Sequence, residues 1–166
     1  LRQAGTEEGT ISVAGTTVSY NAFTGSHYGW TDEAIARGTL VTMTGVNRAL
    51  HDNPESERIY GIAPTTHAND PRCLGAYLSL QEPGQPQGAD NPHQVMAVGN
   101  GDMWVVDTGR NIEQGQYLIS SDLTGHAMLD DEARFAVGYV IARVGEPVDW
   151  SKVNDSVDGH KHKRIS

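Results

Sequence analysis

The sequence predicts a mainly β fold, an antiparallel barrel or sandwich of short strands with one short helix at about 31–37. Three observations predict it. Nineteen glycines punctuate the 166 residues, many of them where turns are expected. Short apolar or β-branched runs recur roughly every eight to twelve residues through the last third, the spacing of a sandwich or barrel. Helix signals are confined to a single segment.

The elements follow in order. Residues 10–13 and 16–20 read as strands around an Ala14-Gly15 turn, with Val18, Tyr20 and Ala22 alternating. In 31–38, Thr31 suits a cap, Asp32 and Glu33 suit the positive end of a helix dipole, and Gly38 suits a C-terminal stop. These signals predict the helix, although one so short needs tertiary packing to hold it. Residues 39–44 are rich in threonine and apolar side chains and read as a strand, as do 59–63 before Pro64. In 74–80 the alternation puts Leu74, Ala76, Leu78 and Leu80 on one face and Tyr77 on the other. Residues 81–92, rich in Pro, Gly and Gln, form a loop, either a surface excursion or an intersubunit arm. Strands are expected again at 95–98, 103–106, 116–120, 126–129 and 135–144, with Trp150 closing the core. The organisation is then a linker over 1–9, a β-rich domain over 10–150 and a polar C-terminal tail over 151–166. A start at Leu1-Arg2-Gln3, without methionine, leads us to expect a piece of a longer polypeptide.

Charge and composition exclude several function classes. A net charge of -9 argues against nucleic acid, which calls for a basic face. The basic run His160-Lys161-His162-Lys163-Arg164 is short. No stretch approaches the roughly 20 apolar residues of a membrane span. Cys73 is the sole cysteine, so no internal disulfide framework exists.

No phosphate-binding glycine loop, His-Glu-x-x-His, Cys-x-x-Cys or Gly-x-Ser-x-Gly occurs. Ser26-His27 pairs a hydroxyl with a base, but neighbours on a strand face opposite ways; the other reading is a histidine bonded to backbone in a glycine turn. His51, His67 and Asp70 are metal-type side chains at spacings that match no known site; solvated loop residues are the other reading. His160 and His162 share one face of an extended strand. One chain gives two imidazoles. Three chains around a three-fold axis would give six, an octahedral set for a transition metal. Lys161 and Lys163 would then face solvent; a solvated basic tail is the other reading. Tyr28, Trp30 and Trp104 are candidate sugar-binding platforms, although aromatics are also core residues.

The segment Ser19-Tyr20-Asn21-Ala22-Phe23-Thr24-Gly25-Ser26-His27 resembles a Phe-Thr-Gly-x-His element of phage and large-virus tail-fibre C-termini. Further resemblances follow in order. They are Gly38-Thr39-Leu40-Val41, Ile59-Tyr60-Gly61-Ile62-Ala63, the hairpin from Ile112 to Ala127 and Phe135-Ala136-Val137-Gly138-Tyr139-Val140. Together they resemble the C-terminal domains of viral tail spikes and fibres related to intramolecular-chaperone autoprocessing domains of the peptidase G2 kind. Gln116 stands where that family has Asp, Gly138-Tyr139 lacks its usual Lys, and a coiled helical chaperone, which the stretch from Trp150 to Ser166 does not contain, would lie beyond Ser166 or have been removed. The resemblance implies a homotrimeric structural part of a virion tail, made in the host cytoplasm, supporting trimer assembly and attachment to a host-surface glycan. Self-cleavage releasing a C-terminal chaperone is the enzymatic alternative. It implies scission near Ser166, with His160 or His162 as general base. A carbohydrate-binding module is the third reading.

Overall fold

The computed structural model describes residues 25–131 and 140–166 in full, and the backbone of four strands before them. Those four are β1 (Arg2–Gln3), β2 (Thr6–Glu7), β3 (Thr10–Ala14) and β4 (Thr17–Asn21). They form two hairpins, β1–β2 and β3–β4, each a two-stranded sheet of its own. Of the strand expected over 135–144, residues 135–139 lie outside the described residues.

Six strands follow: β5 (Gly25–Trp30), β6 (Leu40–Met43), β7 (Arg48–Ala49), β8 (Arg58–Pro64), β9 (Cys73–Leu80) and β10 (His93–Val98). Their order is β5-β10-β9-β6-β8-β7, and a parallel β5–β8 pairing at Gly29↔Tyr60 and Trp30↔Gly61 closes five of them into a barrel. Closure leaves those strands without a free edge. The second sheet uses β11 (Met103–Val106), β12 (Tyr117–Ser120), β13 (Ala127–Leu129), β14 (Ala142–Arg143), β15 (Ser156–Val157) and β16 (His160–Ile165) in the order β14-β12-β13-β11-β16-β15. The fold is therefore mainly β, a barrel joined to a second sheet.

Two cores result. Val41, Ile62, Tyr77 and Val95 fill the barrel. Leu40, Val105, Ile112, Leu118, Val148, Trp150 and Ile165 belong to the core under the second sheet. Strand β6 feeds both. Leu40 and Val41 are consecutive, point to opposite faces, and are each 0% exposed. Backbone bonds fix the junction. Leu40 N–H donates to the Gly125 carbonyl at 2.8 Å, Gly125 N–H to the Thr65 carbonyl at 2.8 Å, and Thr65 N–H to the Leu40 carbonyl at 2.9 Å.

Three expectations are corrected. Residues 31–37 form no helix. Gly38 N–H donates to Tyr77 O, the Gly38 carbonyl accepts from Trp104 N–H, and the Arg37 carbonyl accepts from Trp104 Nε1. These tertiary bonds claim backbone groups at the segment's C-terminal end, and Ile35 packs on the barrel core. Two turns of isolated helix cannot outweigh that. Thr31 keeps part of its capping role, since its Oγ1 accepts from Glu33 N–H at 3.2 Å.

The simple alternation in β9 also fails. Opposite β10 the register passes from Ser79 to Tyr77, and opposite β6 from Gly75 to Cys73, so Leu78 and Leu74 sit as bulges. Ala76 and Tyr77, consecutive in sequence, are consequently both buried. Gly75, at φ +149, makes this path possible; a methyl there would overlap the Met96 carbonyl.

Finally, 151–166 is no detached tail. β16 pairs antiparallel with β11 from Met103↔Ile165 to Val106↔His162, and Ile165 is 2% exposed. Trp150 does not end the core, because the chain returns through it.

Gly125 sits at φ +70, and a Cβ there would lie 2.6 Å from Thr39 Cγ2. Gly125→Ala should therefore lower unfolding stability by roughly 1–3 kcal/mol, and Leu40→Ala by about 2–5 kcal/mol. Urea denaturation reads both, and wild-type stability in either variant would contradict the shared-wall account.

Candidate functional site

The densest cluster of chemically capable side chains lies on the outer face of the second sheet. Alternation along β16 sorts its residues. Ile165 enters the core, Lys163 Nζ binds Glu146 Oε1 at 2.7 Å, and Lys161 Nζ donates to the Trp150 carbonyl at 2.5 Å. His162 and Arg164 take the opposite face, across from Val106 and Trp104 of β11. The His162 ring stacks on Trp104, with centroids 4.7 Å apart and planes 17° apart. Arg164 lies 5.8 Å over the same indole and pairs with Asp102 at 3.2 Å; Arg37 holds the other Asp102 oxygen at 2.7 Å.

His126 completes the cluster from the turn before β13. Ser121 holds its carbonyl with both N–H (3.0 Å) and hydroxyl (2.9 Å). His126 Nδ1 lies 2.7 Å from the Thr124 carbonyl, which can only accept, so Nδ1 carries the proton. Nε2 of the neutral ring is then an acceptor, 3.0 Å from His162 Nδ1, which must donate. Burial pushes His126 below its ordinary pKa, against the upward pull of the Thr124 carbonyl.

The structure sorts the sequence-derived candidates as follows. His162 is brought together with His126 and Trp104 and not with His160, which is exposed at the start of β16. The expected solvent-facing Lys161 and Lys163 are instead engaged with Trp150 and Glu146. Ser166 follows the strand directly, which puts it about 20 Å from His160 and about 13 Å from His162 at the rise of an extended chain. Neither histidine can serve as base at Ser166 of the same chain. Around Ser166 lie Gly145 N–H, 3.0 Å from its carbonyl, and Glu146 Oε2, 3.4 Å from its hydroxyl. Lys163 holds the Glu146 carboxyl below its ordinary pKa.

The three aromatic candidates are not all brought together. Tyr28 and Trp30 lie on the barrel strand β5, Trp104 on the second sheet. Trp30 carries the Arg48 guanidinium 3.4 Å over its ring and donates Nε1–H to Val46 O at 2.8 Å. His27 meets Tyr60 edge-on at 5.8 Å, which is a packing role. His51 bonds Asp90 at 2.7 Å and His67 bonds Thr66 at 2.8 Å, so these histidines serve separate loops. Asp70 is a buried anchor, 4% exposed. It receives the Arg72 guanidinium at 3.0 Å, and its N–H donates to Ser120 Oγ at 2.8 Å. Among the described residues no group of three or more His, Cys, Asp or Glu converges as a metal site, and no helix is long and apolar enough to cross a membrane.

Comparison with protein families, curated proteins and solved structures finds no match to this chain.

His93 (3% exposed) and His126 (9% exposed) are both pushed below their ordinary 6.5 by burial. Below that value the unfolded chain binds protons that the folded chain refuses, so stability must fall on acidification. Urea midpoints between pH 7.5 and 5.5 should drop, with a slope of at most about 1.4 kcal/mol per pH unit for each histidine. His93→Phe should flatten the slope. A flat profile in wild type would contradict the burial of these rings.

Proposed function

We propose that this chain is a structural domain of a homotrimeric viral tail fibre or spike, a virion component that supports trimer assembly. The observation that carries the reading is the β3–β4 hairpin. Its register pairs Ile11 with Tyr20 and Val13 with Val18, and Ser12 with Ser19 and Thr10 with Asn21. Directly paired residues share a face. One face is thus wholly apolar in sequence and the other is polar but for Ala14. A two-stranded hairpin is marginal by itself, and an apolar face needs a third strand or a partner layer. Within the described residues it joins neither six-stranded sheet. Three hairpins around an axis would give each apolar face a partner. The ordered resemblance to fibre C-termini points the same way.

Self-cleavage is the weaker reading, since the bases first assigned to it lie far from Ser166 along β16. The carbohydrate module has less support, since Trp104 lies on another sheet and Arg48 already sits over the Trp30 ring.

Light scattering on the whole chain at micromolar concentration should give three times the chain mass of 17.9 kDa. The double variant Val13→Asp/Val18→Asp should give a single chain mass while keeping the β-type circular dichroism of the barrel. A wild-type monomer would overturn the proposal.

A further inference from the structure

We propose that His126 and His162 form a binding site for a divalent first-row transition ion of the copper or nickel class, one ion per chain, with solvent completing its coordination. The site lies within one chain and does not depend on the fibre reading.

Three features of the pair carry the inference. First, the Thr124 carbonyl holds the His126 proton at Nδ1 and leaves Nε2 as a lone pair. A histidine whose second nitrogen is anchored to a carbonyl is oriented as metal-ligating histidines are. Second, the two facing nitrogens are already 3.0 Å apart. Two bonds of roughly 2.0–2.1 Å to one ion at that separation enclose an angle of about 91–97°. This is the cis angle of tetragonal or octahedral coordination, which copper(II) and nickel(II) favour. Third, both rings are held in place: His126 by the Ser121-braced turn, His162 by its stack on Trp104.

Binding replaces one hydrogen bond and requires one proton movement, from Nδ1 to Nε2 of His162. No proton is released from the neutral pair. The charges around the site permit a cation. Arg164 on the same face is paired with Asp102, while the Asp158 carboxylate in the β15–β16 turn acts on the His126 ring with opposite sign. An ion here would tie β16 to the turn that leads into β13.

The stack supplies the readout. An open-shell ion on His162 would sit beside the Trp104 indole and quench its fluorescence. Untagged full chain is titrated with copper(II) at pH 7.5. We expect saturable quenching at one equivalent, absent in Trp104→Phe, together with a rise in melting temperature at saturation. His126→Ala and His162→Gln should each weaken binding at least tenfold, and His160→Ala should leave it within twofold. Zinc(II), which does not quench, should shift the ring-nitrogen resonances of His126 and His162 in the wild-type chain, a measurement that needs no variant to fold. Absence of saturable binding at micromolar copper would overturn the proposal. So would unchanged binding in His162→Gln, loss of binding in His160→Ala, or zinc-induced shifts confined to other histidines.

Discussion

Strand β6 is a wall with a core on each side, and the rest of the described fold is arranged around it. Leu40 and Val41 are neighbours in sequence, yet one is buried under the second sheet and the other inside the barrel. Both are sealed from solvent. A strand presents alternate residues to opposite faces, so four residues suffice to serve two cores. The cost is that every backbone polar group near the wall must be bonded within the protein. Thr65 and Gly125 do this at Leu40, and the Thr39 carbonyl accepts from Tyr77 N–H at 2.8 Å. The barrel and second sheet are thereby fixed to one another by main-chain bonds as well as by packing.

That constraint explains how the basic C-terminal run becomes part of the fold. The core under the second sheet needs a strand beyond β11, and β16 provides it by burying only Ile165 outright. Lys161 and Lys163, on the same face as Ile165, carry their charges outward on long stems to the Trp150 carbonyl and Glu146. On the other face His162 is half-buried, stacked on Trp104 and bonded to the buried His126.

Several elements were legible in the sequence for physical reasons. The strands at 59–63, 95–98 and 103–106 are short apolar or β-branched runs bounded by turns, and period and punctuation suffice for them. The 31–37 segment carries genuine cap chemistry, but capping contributes about 1 kcal/mol, and bonds from Tyr77 and Trp104 outweigh it. The bulges at Leu74 and Leu78 were hidden because a bulge is set by the partner strand's register. The polar character of 160–164 left a strand and a solvated tail as alternative readings, since one buried residue in six leaves almost no hydropathy signal. The His126–His162 pair was illegible for a different reason: the two residues are 36 positions apart. In the sequence His162 stands out beside His160, and His126 only as part of a hairpin. Nothing in local pattern announces that a turn and a terminal strand will meet.

The edges of the sheets indicate where association is directed. A free strand edge offers unpaired backbone groups to another chain, and proteins blunt such edges by keeping them short or charged. Five barrel strands have no edge, and the strand appended to them, β7, has two residues, one of them Arg48. Among the described residues the second sheet ends on β14 and β15, also two residues each, the first bearing Arg143 over the Tyr117 ring. Among the described residues, then, both sheets end on short edges. The β3–β4 hairpin differs, with two strands of five residues, neither paired beyond its partner among the described residues. Its sequence keeps four apolar residues to one face and places no charge on either strand. Among the described residues this hairpin combines five-residue strands with unpaired outer edges, and the proposed assembly would use it. The hairpin and the His126–His162 pair share no residue, so the proposed assembly and the proposed ion binding are tested by separate variants.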